Sequence, residues 1–290
     1  MRPRTPRATA TAPTGRVPGP RLDPDSIRPP SNEVQGELVA RMYQSQTGER
    51  MPYRLYVPEG YDAEQPFPLV IFLHGSSGSG DDNRKQLQAS GTAINLFTRP
   101  ESQAEFPSFV LIPQANPRNG GGWVRQWDAV PLRKGQQKEP LVVAMEIIDH
   151  LRWEFAIDPS RLYLAGQSMG GFGAWIALTR YPDTFAAAIP VAGGGNPAGV
   201  GGNKTPVWAF HGSADRVVPA RRSRAMFDAF RKAGANPRYT EYKGVRHESW
   251  KRAFEEPDLL RWMFSQQRNG NGGWPLVTSS AGAGDDLTAQ

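Results

Sequence analysis

The order of apolar and amphipathic segments predicts an α/β protein with a mostly parallel central sheet flanked by helices on both faces. Short uninterrupted apolar runs, such as PLVIFL (68–73) and FVLIP (109–113), have the character of strands buried on both sides. Segments with helical spacing fall between those runs, so successive strands need crossover connections and pair in parallel. The alternating stretch, residues 33–267, has a length that one such domain commonly reaches.

The elements follow in order. Residues 39–46 and 53–57 are β-rich runs split by Thr47-Gly48-Glu49-Arg50, which predicts a hairpin. Residues 68–73 form the first buried strand and end at His74-Gly75; residues 109–113 form the second. RLYLA (161–165), FAAAIPV (185–191) and VWAF (207–210) are the third, fourth and fifth, and RYTEY (238–242) is a weaker sixth. Helices are expected over 141–155, over 169–180 after a Ser-Met-Gly-Gly turn, over 220–233 up to Gly234, and over 257–266. No internal repeat interrupts this pattern. Residues 1–32 hold eight prolines without a hydrophobic period and read as a disordered or extended arm. The Gly- and Ser-rich residues 268–290 read as an unstructured tail.

Composition narrows the function. Six arginines and two aspartates in residues 1–30 carry +4 of the chain's net +6, so the basic character is a tail and not a groove; nucleic acid is not an expected partner. The absence of cysteine excludes disulfides, thiolate metal sites and a cysteine nucleophile. No apolar run approaches the 18 residues of a membrane span. The basic N-terminus has no apolar region behind it, so no signal peptide is read; the chain as written reads as cytoplasmic, or as secreted or periplasmic if a signal was removed. Oligomeric state is not legible.

The segment LYLAGQSMGGFG (162–173) carries the chemistry. A strand runs into Gly166-Gln167-Ser168-Met169-Gly170 and a helix begins at once, which is the G-x-S-x-G elbow in the context that the motif needs. Glycines flanking the turn let it tighten, and Ser168 Oγ is pushed above the sheet edge as a nucleophile; the bland alternative is an ordinary serine in a Gly-rich turn. Of four histidines, only His247 comes late enough for the Ser…Asp…His order of this motif, and it is the expected general base. His74 and His211 each end a strand before glycine and read as packing beneath the site, and His150 falls in a helical pattern. Asp215, in a loop between Ser168 and His247, is the expected orienting acid, with an N-cap or an Arg216 partner as its alternative role. Asp183 is a rival carboxylate but lies in a helix-ending turn on the wrong side of the sheet. Oxyanion donors are expected from the backbone N–H groups of Met169 and Ser76. The long loop 116–139 follows a strand, where ligands bind in such sheets, so Trp123 and Trp127 are candidate pocket walls. Trp250 is a candidate as well, with helix packing beside the base as its alternative.

Three decoys fail. GVGGNKT (199–205) lacks the glycine before lysine that a phosphate loop requires, and the glycines at 193–195 are followed by proline instead of a helix. His247-Glu248 is followed by Ser249-Trp250, so no H-E-x-x-H metal motif forms, and no metal is expected.

With these pieces in place, the chain resembles the α/β-hydrolase superfamily. It is most similar to the bacterial group of predicted peptidases and phospholipase/carboxylesterase-like proteins, near polyhydroxybutyrate-depolymerase-type and feruloyl-type esterases. The resemblance is carried by FLHGSSG (72–78), LIPQA (111–115), RLYLAGQSMGGFGAW (161–175), PVWAFHGSADRVVP (206–219) and RHESW (246–250). It implies a Ser168–Asp215–His247 triad, activity on small-molecule or polymer-derived carboxylic esters through an acyl-enzyme, and no cofactor. A serine peptidase of the prolyl-oligopeptidase-like type, a polyester or feruloyl esterase, and a catalytically silent binding module whose basic arm recruits nucleic acid or an anionic surface are the other readings.

Overall fold

The computed structural model describes residues 34–116, 122–124 and 138–268. The arm at 1–32, the tail beyond 268 and Trp127 lie outside the described residues. Eight strands form the sheet: β1 (Leu38–Gln44), β2 (Arg50–Tyr56), β3 (Phe67–Leu73), β4 (Phe109–Pro113), β5 (Ile157–Gln167), β6 (Ala187–Val191), β7 (Trp208–Gly212) and β8 (Arg238–Tyr242). Their spatial order is β1-β2-β4-β3-β5-β6-β7-β8. The β1–β2 and β2–β4 pairs are antiparallel, and every later pair is parallel. The helices are α1 (Lys85–Ala89), α2 (Gly91–Thr98), α3 (Pro100–Glu105), α4 (Pro140–Glu154), α5 (Met169–Arg180), α6 (Arg221–Lys232), α7 (Trp250–Ala253) and α8 (Leu259–Phe264).

The strand period of two explains why the central runs are apolar throughout. Along β3, Leu69, Ile71 and Leu73 enter one core, with Leu141 and Ile148 of α4, Trp175 of α5 and Phe230 of α6. Val70 and Phe72 face the opposite way, into a second core with Phe97 of α2, Ala253 of α7 and Met263 of α8. Each such side chain removed from water contributes about 1.5–3 kcal/mol, so both faces need helical cover. The edge strand β1 alternates half-buried and exposed positions, as a strand with one wet face does.

Two local features were not expected. Residues 85–105, to which the sequence pattern assigns no element, fold into three short helices, and α2 buries Ala93, Ile94, Leu96 and Phe97. The third buried strand begins at Ile157, four residues earlier than the RLYLA run. An Asp158 turn, in which Asp158 Oδ1 accepts from the Ser160 amide at 2.8 Å, puts a bulge in its pairing with β3.

Candidate active site

The parallel strands deliver their chemistry at one end. Gly75 follows β3, Ser168 follows β5, Ala192 follows β6, Asp215 lies three residues past β7, and His247 five past β8. This is the carboxyl edge of the sheet, where α/β proteins form ligand clefts.

Ser168 adopts φ 53° and ψ −115°, a left-handed strained conformation for a residue with a side chain. The surroundings enforce it. The Ser168 amide donates to Val191 O of β6 at 2.9 Å, and Phe172 N–H returns to Ser168 O at 3.0 Å. The flanking glycines are steric necessities: a Cβ at Gly166 would stand 2.3 Å from Gly170 O, and one at Gly170 would stand 1.8 Å from Leu73 O. The elbow is thus wedged against the end of β3.

Ser168 Oγ lies 2.8 Å from His247 Nε2, and His247 Nδ1 lies 2.7 Å from Asp215 Oδ2. A carboxylate can only accept, so Nδ1 carries the ring proton and the Nε2 lone pair faces the hydroxyl. Asp215 Oδ1 accepts the amides of Val217 and Val218 at 2.8 and 2.9 Å. Burial alone would raise the Asp215 carboxyl, but the donors from His247, Val218 and Val217 outweigh it and hold the group below its ordinary range. Asp215 therefore stays ionised beside the imidazole. The two loops are stitched together: Ala214 N–H donates to Val245 O at 2.9 Å, and Gly244 N–H to Ser213 Oγ at 2.8 Å.

The loop after β3 borders the serine. A Cβ at Gly75 would stand 3.6 Å from Ser168 Cβ, so the backbone entering Ser76 runs beside Ser168. Ser76–Gly78 forms a single 3-10 turn closed by the amides of Gly78 and Ser79, not by that of Ser76. Met169 is the first residue of α5, and its amide has no acceptor within the helix. Gln114, a buried polar residue to which sequence reading gave no role, braces this loop through Nε2 to Gly78 O at 3.1 Å and Asp82 Oδ1 at 2.9 Å. Its one sequence signal is a polar side chain directly after an apolar strand.

His74 is fully buried beneath the turn. Its Nδ1 lies 2.7 Å from Gly75 O, and its Nε2 accepts the Ala115 amide at 3.0 Å, so Nδ1 bears the proton. Burial pushes its pKa down to about 4, against the opposing pull of the Gly75 carbonyl. Asp183 sits just ahead of β6, at the opposite end of the sheet from Ser168.

Of the candidate tryptophans, Trp123 and Trp250 lie among the described residues, and only Trp123 departs from expectation. Trp123 is not a pocket wall: it is 1% exposed, its Nε1 donates to His74 O at 3.0 Å, and its ring packs 5.0 Å from the His74 imidazole. An indole with a satisfied N–H and a buried face fills core space. Trp250 is half-buried on the second core and presents a ring at 88° to His247, with centroids 5.1 Å apart. It packs beside His247, a position compatible with either role weighed for it above.

Among the described residues, no three His, Asp or Glu side chains gather where they could hold a metal ion. No helix among them is long and apolar enough to cross a membrane.

The Esterase family model matches residues 44–255, and the chain belongs to that family. It is 26% identical over 223 residues to "Poly(3-hydroxyalkanoate) depolymerase C" of Paucimonas lemoignei, covering 66% of this chain and 48% of that protein. It is 25% identical over 238 residues to "Probable feruloyl esterase C" of Aspergillus niger, covering 80% of each. The solved structure of a thermostable esterase superposes with a TM-score of 0.71 at 34% identity, over 80% of this chain and 63% of that one. The chain thus spans about half the length of the depolymerase and under two thirds of the solved esterase. The sheet order and this superposition identify the fold as that of the α/β-hydrolases.

Proposed function

We propose that this chain cleaves carboxylic esters through an acyl-enzyme, with Ser168 as nucleophile, His247 as general base and acid, and Asp215 as the group that orients and stabilises the imidazolium. One observation carries the reading: hydroxyl, imidazole and carboxylate stand in a continuous line at 2.8 and 2.7 Å. His247 Nε2 takes the Ser168 proton as Oγ attacks the ester carbonyl carbon. Negative charge collects on the carbonyl oxygen, where the amides of Met169 and Ser76 donate. The tetrahedral intermediate collapses, and His247 returns the proton to the leaving alcohol. Water, deprotonated by the same Nε2, then releases the acid and restores Ser168.

Membership in the Esterase family supports an ester over an amide as the substrate. The names of the relatives direct attention to hydroxyalkanoate polyesters and feruloyl esters. Purified Ser168→Ala should hydrolyse p-nitrophenyl butyrate with kcat lowered roughly 10⁴–10⁶-fold while the fold stays intact. Substantial residual turnover by that variant overturns the proposal. A matched p-nitroanilide should be cleaved far more slowly than the p-nitrophenyl ester, and acetyl, butyryl, feruloyl and polyester substrates compared side by side rank the acyl preference.

A further inference from the structure

We propose that His211 is a positioning residue for the triad: together with Ser223 it locks the Asp215 carboxylate in the one orientation that aims Oδ2 at His247. The proposal rests on the ester-hydrolase reading above and adds a side chain which that reading does not use. Sequence reading assigned His211 to packing beneath the site, and the hydrogen bonds assign it more.

The ring belongs to β7 and is fully buried. Its Nε2 lies 2.8 Å from Val218 O and 3.2 Å from Asp215 Oδ2. Both partners can only accept, so Nε2 carries the proton: it is directed at Val218 O and stands beside Asp215 Oδ2. The ring is held neutral, since burial lowers its pKa despite the opposing pull of Val218 O and Asp215. Its Nδ1 lone pair then faces Ser223 Oγ, 2.7 Å away. The single Ser223 proton has two acceptors in reach, this nitrogen and Gly193 O at 3.1 Å, so the hydroxyl is packed between them. Gly193 in turn presses on the first turn of α5, where a Cβ added to it would stand 2.4 Å from Gly171 C. A string of contacts therefore runs from the acid to the helix that opens at the nucleophile.

An ionised carboxylate offers about four acceptor directions. Here Oδ1 takes the Val217 and Val218 amides, Oδ2 takes His247 Nδ1, and the His211 Nε2–H edge stands 3.2 Å from Oδ2. With three directions bonded and the imidazole packed against the fourth, rotation about the terminal torsion is opposed. Without His211, the carboxylate loses the N–H edge that flanks the reacting oxygen and can swing away from the His247 imidazole. That misalignment weakens stabilisation of the imidazolium, a state formed only along the reaction path, so kcat is affected and substrate binding is not.

The test is a set of variants assayed on p-nitrophenyl butyrate. His211→Phe should lower kcat by about 10–100-fold with KM within about twofold, the scale on which outer partners tune a histidine site. His211→Gln, whose side-chain amide can still donate toward Asp215, should recover most of that loss. In an Asp215→Asn background, His211→Phe should cost no more than about twofold, because a residue acting through Asp215 has nothing left to act on. Should His211→Phe fail to fold, Ser223→Ala carries the same test, with kcat lowered about 3–10-fold alone and unchanged in the Asp215→Asn background. Wild-type kcat in a folded variant, or equal losses with and without the Asp215 carboxylate, overturns the proposal in favour of simple packing. Activity surviving in Ser168→Ala would instead bring down the ester-hydrolase reading, so the two failures are separable.

Discussion

His247 Nδ1 donates to Asp215 Oδ2 at 2.7 Å across 32 residues of sequence, while the other oxygen of that carboxylate is tied to the Val217 and Val218 amides. One side chain thus serves both the proposed chemistry and the loop that carries it, and two substitutions separate the roles. Asp215→Asn keeps an acceptor oxygen for the loop but no longer fixes the ring tautomer, so kcat should fall by about 10⁴-fold with stability little changed. Asp215→Ala should lose as much activity and in addition about 1–3 kcal/mol of stability, because the Val217 amide and the buried Val218 amide lose their acceptor. Ester turnover and urea unfolding of both variants check this. Equal stability of the two would detach Asp215 from the loop.

The elbow predicts a sharp contrast between glycines. Gly170→Ala would drive a methyl to 1.8 Å from Leu73 O, a backbone atom that cannot step aside. The loss should exceed the ~1–3 kcal/mol usual for overpacking. Gly91, in α2, has nothing within 4 Å of the position its Cβ would take. Gly91→Ala should raise stability by about 0.4–1 kcal/mol by narrowing the unfolded ensemble. Thermal melts of the two variants should move in opposite directions.

What the sequence discloses follows from how each signal is encoded. The buried strands are legible because two-sided burial forces unbroken apolar runs, as in Pro68–Leu73 within β3. His247 is legible because only four histidines compete and chain order separates them. Helices α1, α2 and α3 have five, eight and six residues, too few turns for a helical period to emerge, with breaks at Ser90 and at Arg99-Pro100. Trp123 misleads because its glycine-rich neighbours read as an exposed loop, whereas its burial depends on His74 O, an acceptor 49 residues away. The second imidazole on Asp215 is invisible for the same reason: nothing local distinguishes the His211 of His211-Gly212 from the His74 of His74-Gly75.

Trp123 is buried under the loop after β3, bonded to His74 O, and should act on stability and not on substrate binding. Trp123→Phe strands the His74 carbonyl and should cost about 1–3 kcal/mol, and Trp123→Ala about 3–5 kcal/mol through the cavity it leaves. KM for p-nitrophenyl butyrate should stay within about twofold in Trp123→Phe. A KM raised tenfold at unchanged stability would instead return this indole to a pocket wall.

Acid should weaken the fold through His74 well before most carboxylates protonate. The imidazole is neutral inside, donating Nδ1–H to Gly75 O and accepting the Ala115 amide at Nε2. A second ring proton would meet that amide head-on in a site without water contact, which is why burial pulls the pKa from 6.5 to about 4. The unfolded chain binds a proton near 6.5, so between that value and about 4 it holds one proton more than the native state. The stabilisation is therefore complete above 6.5, declines as pH falls through this window, and levels off below about 4, a loss of ~3 kcal/mol in all. His211, lowered in the same direction by burial, steepens the decline. Carboxylates held low, such as Glu49 at about 2, begin to add their own losses as pH falls below the ordinary 4.5 and complete them near 2, so the upper part of the window belongs to the histidines. Urea unfolding at several pH values between 7 and 4 should show this decline in the wild type. In His74→Gln, which starts less stable but has no ring to protonate, the slope should be shallower by about one proton, or ~1.4 kcal/mol per pH unit in mid-window. Parallel slopes for the two proteins would place the titrating group elsewhere.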